Sequence, residues 1–348
     1  MLLRLVIFML CFSAAARAGE VRLSFADIPQ YAAVHNQELA AASWKIREAQ
    51  GRLLGAGRSS NPELGIEVKH SHEFNEGSIT VSLDQKFPVT ARLRFEKALS
   101  RKLVESAELE VLNAERKVVM EARTLAIRLL ALDTQKALRR RQADLSASLA
   151  KFAGEHAKTG EISPLDAAQA QLDTQRLLLE TRKLDLEKIS LTGELKTLLG
   201  IAEGDSLVLI GALPAVSVPA RTAWEGRPDY QQAIVNEQAA KHAIDLAKSK
   251  KWDDFSAGIL AEGERMEDEP DGLTNTGFFG VRLTVPLPIW NQNQGEVVEK
   301  IAGAQRARRE TVALAVTISN EAEAARSLMV ANLQMLVETR DKLIPMSV

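Results

Sequence analysis

VSLDQKFP at residues 81–88 returns as VRLTVPLP at residues 281–288. Val81 and Val281, Leu83 and Leu283, Phe87 and Leu287, Pro88 and Pro288 stand in register at a constant offset of 200. Apolar and polar residues alternate in both copies, the period of a β-strand, and each runs on into a long charged stretch. A second correspondence lies upstream. NQELAAASWKIREAQGRLLGAGRSSNPEL (36–64) matches RPDYQQAIVNEQAAKHAIDLAKSKKWDDF (227–255) at an offset of 191, with Leu39 on Tyr230, Ala42 on Ala233 and Leu64 on Phe255. The chain is therefore an internal duplication, each copy reading helix, strand, loop, strand, helix. The nine residues by which the offset grows fall around Glu262–Asn275 (EGERMEDEPDGLTN), which is acidic and glycine-bearing. A longer exposed loop is expected there.

The first hairpin, about 63–87, sets Leu64, Ile66 and Val68 against Glu63, Gly65, Glu67 and Lys69. Its return sets Ile79, Val81 and Leu83 against Ser78, Thr80, Ser82 and Asp84. In the second, about 253–287, Phe255, Ala257, Ile259 and then Phe279, Val281, Leu283 and Val285 alternate in the same way. Strands of about ten residues with one apolar face have the length of tilted transmembrane β-strands. Alternation alone fits a half-buried soluble hairpin equally well.

The helix after each hairpin decides more. From Val89 to about Ala157 there is no proline, and no glycine before Gly154. A single helix of that span would be about 100 Å long, too long for one globular core to bury. In the second copy the corresponding helix is expected from 289. Leu112, Val119 and Ala126, with Ala122 and Leu129, then Leu138, Leu145 and Phe152, recur by sevens as in a coiled coil. The first long helix breaks at AKTGEISPLD (157–166): Gly160 suits a left-handed helix end, Ser163 an N-cap and Pro164 a first helical position. The returning helix, 164–199, carries two heptad rows, Leu165, Leu172, Leu179, Leu186 and Leu177, Leu184, Leu191, Leu198. These rows lie about 140° apart around the helix. A helix with two such rows needs a neighbour on each flank, as a stave does. Residues 200–226 read as an irregular connector with room for one small strand. Arg227-Pro228-Asp229 restarts helix with proline and an acid in the first turn.

Composition narrows the class. Aromatic residues are 5% and tyrosines two, while Ala, Leu, Glu, Arg and Lys abound, a mixture that favours long helices. Arg4, the apolar run Leu5–Phe12 and Ala16-Arg17-Ala18 have the form of a secretory signal peptide over residues 1–18. The sole cysteine, Cys11, lies inside it. The mature chain then has no disulfide, thiol nucleophile or cysteine metal site, and Met9-Leu10 does not fit a lipid anchor. The net charge of −2 becomes −4 without Arg4 and Arg17, so no nucleic-acid partner is expected. After the signal no apolar run reaches 18 residues, so a bilayer could be entered only as a β-barrel.

Four stretches carry a family likeness: the duplicated helix–hairpin–helix, RPDY at 227–230, TGEISPLDAAQAQ at 159–171 and VPLPIWNQNQGEV at 285–297. Over residues 19–348 the chain resembles the outer-membrane efflux proteins, the TolC-like exit ducts of tripartite pumps, and most of all their cobalt–zinc–cadmium branch. The resemblance implies a mainly helical fold with long antiparallel coiled-coil staves forming an α-barrel. It implies four transmembrane strands per protomer, closed by a homotrimer into a twelve-stranded β-barrel in outer-membrane lipid, with the helices in the periplasm. Partners implied are a periplasmic adaptor and an inner-membrane transporter of the RND type; no cofactor is implied. Pro88 and Pro288 would be the strand-to-helix corners. Gly160, Glu161, Ile162 and Ser163 would form the periplasmic tip that meets the adaptor. Asp166 matches an acidic position at the family's tip aperture, where three carboxylates would favour cations. It is equally a first-turn acid of its helix, and the two roles are compatible. Arg139, Arg140 and Arg141 read as a solvated face. The rivals are a type I secretion duct and, from another class, a periplasmic adaptor or structural coiled coil; an adaptor would need a lipoyl-like domain rather than duplicated hairpins.

One departure stands out. Gly160 follows Pro88 by 72 residues, and the same step from Pro288 reaches position 360, beyond Val348. The second tip and returning helix are therefore expected to be missing, through a fragmentary record or a shortened gene; the latter would leave no sealed, conducting trimer. His70 and His72 share a strand face beside Glu73, a spacing a metal could use, but with no third ligand they read as loop residues. No phosphate loop, HExxH or nucleophile elbow occurs, and no enzyme is expected.

Overall fold

The computed structural model describes residues 19–72, 76–219, 223–268 and 272–343. The signal segment 1–18, Glu73 and the final Ile344–Val348 lie outside the described residues. Contacts divide the chain into two compact units, residues 1–41 with 114–217 and residues 42–113 with 218–348. Both the first long helix and the helix before the first hairpin pass from one unit to the other.

The first unit begins with β1 (Glu20–Ser24), which pairs in parallel with β4 (Ser206–Ile210) from the connector. The one connector strand allowed for is β4; its partner β1 is not visible in the sequence, because five residues carry too little alternation to stand out. Asp27 holds the turn after β1, accepting from the Ser24 hydroxyl at 2.6 Å and its N–H at 3.1 Å. Helix α1 (Ile28–His35) follows, then Asn36, where α2 (Gln37–Gly55) starts. The Asn36 side chain accepts from the Leu39 N–H at 2.8 Å and donates to the Leu198 carbonyl at 2.8 Å, closing this end of the unit. Helices α3 (Arg92–Lys158) and α4 (Pro164–Leu199) supply the rest. The core joins Leu23 and Ile28 to Leu125, Leu129 and Leu132 of α3 and Leu191, Leu195 and Leu199 of α4. Each fully buried leucine here contributes about 1.5–3 kcal/mol. Gly200 ends α4 at φ 65°, and a Cβ there would stand 2.1 Å from the His35 carbonyl oxygen. Only glycine fits that cap.

The second unit holds a four-stranded antiparallel sheet: β2 (Glu63–His70), β3 (Gly77–Phe87), β5 (Phe255–Asp268) and β6 (Gly272–Thr284), in the order β2-β3-β5-β6. The two duplicated hairpins thus join through β3 and β5, leaving β2 and β6 as edges. Helix α5 (Pro228–Ser249) leads into the second hairpin and α6 (Gln294–Glu338) follows it. RPDY makes a compact start to α5. Asp229 accepts from Arg227 Nε at 3.1 Å and Nη2 at 2.7 Å, and the Tyr230 ring meets Trp224 edge-on at 5.2 Å.

Two expectations are corrected by this architecture. Glu262–Asn275 is not mainly a loop: the ladder runs on to Asp268↔Gly272, so β5 and β6 reach 14 and 13 residues against 8 and 11 in the first hairpin. The inserted residues pair across the ladder although they lack apolar–polar alternation, with Glu262, Glu264 and Met266 on one face and Gly263, Arg265 and Glu267 on the other, and β6 starts at Gly272, φ 79°. Pairing then satisfies backbone groups that a loop would leave to water. Second, the long helix of repeat two starts at Gln294, not 289.

Candidate functional site

Cross-strand partners share a face of the sheet, so its chemistry reads off in rows. One face carries Leu64–Leu83–Ile259–Val281, then Ile66–Val81–Ala261–Phe279, then Val68–Ile79–Gly263–Gly277. Phe87 and Phe255 stack below these rows, their centroids 5.4 Å apart. The next row outward is polar: His70–Gly77–Arg265–Asn275. None of the described residues covers the apolar rows. Phe279 is 91% exposed, Val281 87% and Ile66 67%.

The opposite face is charged or small. Its rows include Glu63–Asp84–Gly258–Arg282 and Gly65–Ser82–Leu260–Gly280. Gly258 is needed where it stands, because a Cβ would lie 2.1 Å from Asp84 Oδ1. The carboxylate passes over that glycine to reach Arg282 at 3.7 Å, while Lys86 meets Glu63 at 2.7 Å.

The strand-to-helix corners differ despite the repeated sequence. Pro88 follows the last residue of β3 directly, and α3 starts at Arg92. Arg92 then bridges Glu96 and Asp254, both at 2.6 Å, fastening the helix start to the residue before β5. In the second copy β6 ends at Thr284, because Pro286 has no N–H for the ladder, and residues 285–293 run outside regular structure. Pro288 therefore does not occupy the position of Pro88. It is the middle of a three-residue turn closed by the Ile289 N–H on the Leu287 carbonyl at 2.8 Å. The reversal into α6 is made by Asn293 at φ 60°, whose amide donates to Ala247 O at 2.9 Å and to Glu296 at 2.7 Å. Lys250 at 2.9 Å, and then Asn293, hold the Glu296 carboxyl below the usual glutamate range, against a smaller opposing effect of burial.

The far end of the helical pair is a tight turn. Gly160 adopts φ 80°, and the His156 carbonyl accepts from Glu161 N at 3.0 Å and Thr159 Oγ1 at 2.9 Å. His156 Nδ1 lies 2.5 Å from Glu161 Oε2. Ser163 caps α4, accepting from Leu165 N at 3.2 Å, with Pro164 next. Ile162 is half-buried; Asp166 is exposed in the first turn and forms no ion pair among the described residues. Gly160, Glu161, Ile162 and Ser163 are thus consecutive in one turn, with Asp166 a turn of helix away.

The helices below the tip meet through small residues. Ala143 and Ala150 of α3 and Ala167, Thr174 and Thr181 of α4 are the buried positions, with Ser146 Oγ 2.9 Å from Thr174 Oγ1. Ion pairs line the edge: Lys136–Asp185, Arg139–Glu180 at 3.5 Å and Lys188–Asp133 at 2.5 Å. Arg139 is consequently half-buried and bridges the pair rather than belonging to a solvated triplet. The heptad leucines are elsewhere. Leu145 and Leu172 stand two residues from Ala143 and Thr174, about 200° around each helix, and are 64% and 61% exposed. Of the two rows on α4, Leu184, Leu191 and Leu198 are covered by the chain, and Leu165, Leu172, Leu179 and Leu186 are not.

Among the described residues no three His, Cys, Asp or Glu side chains gather as a metal site, and no helix is long and apolar enough to cross a membrane.

No protein-family model matches the chain. It is 24% identical over 316 residues to the cobalt-zinc-cadmium resistance protein CzcC of Cupriavidus metallidurans, covering 88% of this chain and 71% of that one. The fold superposes on CusC, in a structure described as showing folding and transmembrane channel formation, with a TM-score of 0.65 at 18% identity over 96% of this chain and 86% of that one. The CmeC outer-membrane channel of Campylobacter jejuni gives a TM-score of 0.70 at 14% identity, covering 91% and 72%. With the duplicated hairpins joined in one sheet and the capped helical turn both in place, the chain has the fold of the TolC-like outer-membrane efflux channels and resembles one of their curated relatives in sequence.

Proposed function

We propose that this chain is one subunit of a trimeric outer-membrane duct, the passive exit of a tripartite pump for metal cations or similarly toxic solutes. The observation that carries it is the bare apolar face of the sheet. Large contiguous apolar patches are rare on water-soluble monomers; here two full rows of apolar side chains, and Val68 and Ile79 of a third, are left uncovered by the described residues. The sheet also ends in two unpaired strands, β2 and β6. In hydrocarbon such edges must be closed, and four strands cannot close alone, whereas three copies supply twelve. At 3.4 Å per residue, the ten steps from Phe255 to Arg265 cover about 34 Å of strand. A tilt of about 40° turns this into roughly 26 Å, the height of an outer-membrane apolar band.

The uncovered leucine row of α4 supports the same assembly, because a neighbouring subunit is what a second row on a stave requires. In that assembly Gly160–Ser163 meet a periplasmic adaptor, three copies of Asp166 ring the tip aperture, and an RND-type inner-membrane transporter supplies the energy. Cargo of metal-cation type is favoured by the likeness to a cobalt-zinc-cadmium resistance protein. The test is cell fractionation followed by mild-detergent electrophoresis. A heat-modifiable trimer in the outer membrane, with loss of zinc, cobalt or cadmium tolerance on gene deletion, is expected. Soluble periplasmic monomer overturns the reading.

A further inference from the structure

The band of apolar rows ends in two adjoining hollows on the same face. The outer one, about 510 Å³, lies where Gly263 and Gly277 pair across β5 and β6 between Val68–Ile79 and the polar row of Arg265 and Asn275. Among the described residues no side chain fills it, since a Cβ on Gly263 would meet nothing within 4 Å and one on Gly277 nothing nearer than 4.0 Å. Arg265 stands at its outer rim, exposed and in no ion pair among the described residues; Glu76 and Glu264 also border the hollow, the Glu76 carboxylate accepting from the Glu267 N–H at 3.2 Å. The inner hollow, about 680 Å³, begins one row further in and is apolar, walled by Leu64, Leu83, Ile259, Phe279 and Val281. A rim that carries the unpaired Arg265, a glycine-floored notch and an apolar groove thus follow one another along the strands.

We infer that this notch and groove bind one phosphorylated outer-leaflet lipid, with Arg265 on the phosphate and an acyl chain in the groove below. The inference rests on the proposed membrane placement of the sheet and goes beyond it: a channel wall needs only a smooth apolar band, not a guanidinium poised over a void. Charge decides the headgroup. An unpaired guanidinium matches a phosphate through paired N–H donors, and the apolar hollow directly beneath it excludes a fully water-soluble anion as the intended occupant. Gly263 and Gly277 also gain a reason to be glycine, as neither has a positive φ to demand it.

The experiment uses the full chain purified from outer membranes in neutral detergent. Lipid A, the same lipid with its phosphates removed, and inorganic phosphate are titrated in turn and bound lipid is counted by native mass spectrometry. Lipid A is expected to bind, its dephosphorylated form about five- to tenfold more weakly, the value of one charge-assisted contact near a membrane surface. Arg265→Ala should lose the same factor, and Gly277→Leu, which fills the notch and keeps the arginine, should lose binding as well. Equal binding of lipid A by wild type and both variants overturns the site. So does inorganic phosphate displacing lipid A, because it would leave the groove without a role. Fractionation of the same cells separates the two ideas. Protein found in the outer membrane without Arg265-dependent lipid sinks the lipid site alone, while protein absent from that membrane sinks the placement on which it rests.

Discussion

Beside β1 and β4, the α3–α4 hairpin turns its leucines inward: Leu125, Leu129, Leu132, Leu191, Leu195 and Leu199 are all buried by the chain itself. Toward Gly160 the same two helices turn alanine and threonine inward and leave Leu138, Leu145, Leu165, Leu172 and Leu179 more than half exposed. The two stretches have similar composition and the same heptad period. They differ in which row is spent on the partner within the chain. A leucine seam makes a self-sufficient core. An alanine seam brings two helices close for little apolar area and leaves the large side chains for something else. The first region carries its own core; the second awaits the neighbouring subunit proposed above.

The sharpest way to break this contrast is to remove one leucine from each region. Leu195 is 0% exposed, so Leu195→Ala leaves a cavity and should cost about 2–5 kcal/mol in chemical unfolding of detergent-dispersed monomer. Leu172→Ala should cost that monomer less than about 0.5 kcal/mol yet lower the trimer fraction on size exclusion. Equal losses of monomer stability at the two sites would erase the distinction. The inner seam offers a converse test. Ala143 is 4% exposed, and Ala143→Leu forces apart helices that meet through methyl groups. Overpacking of this kind costs about 1–3 kcal/mol, while Leu145→Ala, two residues on, should leave the monomer's melting unchanged.

Much of this is readable from residue spacing, and the exceptions have physical causes. Heptad leucines show that α4 has two apolar rows, because the period alone fixes their angle. Spacing does not say which row turns inward, since that depends on the partner's side chains; the small residues 143, 150, 167, 174 and 181 carry the same period of seven and are hard to distinguish beside the leucines. The strand rows of the sheet follow from alternation. Its order, with β3 beside β5, requires pairing over about 180 residues that no local pattern encodes. The aligned prolines suggest equal corners. What separates them is Pro286, present in one copy only, and Asn293 in a left-handed conformation that a sequence does not announce. At the tip the turn chemistry is legible residue by residue, as Gly160, Ser163 and Pro164 each have one strongly preferred local role.

That tip supplies a smaller effect. Ser163→Ala deletes the hydrogen bond to Leu165 N and should cost about 1 kcal/mol, felt as faster amide exchange over the first turn of α4 and not in the leucine core. Exchange that quickens equally at Leu195 would mean that the two regions unfold as one.

The smallest effect concerns the ionic edge that accompanies the alanine seam. Lys136, through a hydrogen bond, holds the Asp185 carboxyl below the usual aspartate range; burial opposes this, and the charges of Lys136, Arg140 and Lys188 add to the lowering. A carboxyl lowered on folding stabilises the fold above its unfolded-state value and loses that contribution as pH falls through the lower folded value. Acidification through the lower end of the aspartate range should therefore loosen the hairpin between its two regions, and Asp185→Asn should remove that pH dependence. Asp185 is solvent-exposed, so water screens the pair and keeps the loss slight, and salt should shrink it further. Exchange rates along α3 near Lys136, compared at neutral and acid pH in both proteins, read it directly. Acid loosening that persists unchanged in Asp185→Asn would show that the alanine seam holds the helices without help from its charged margin.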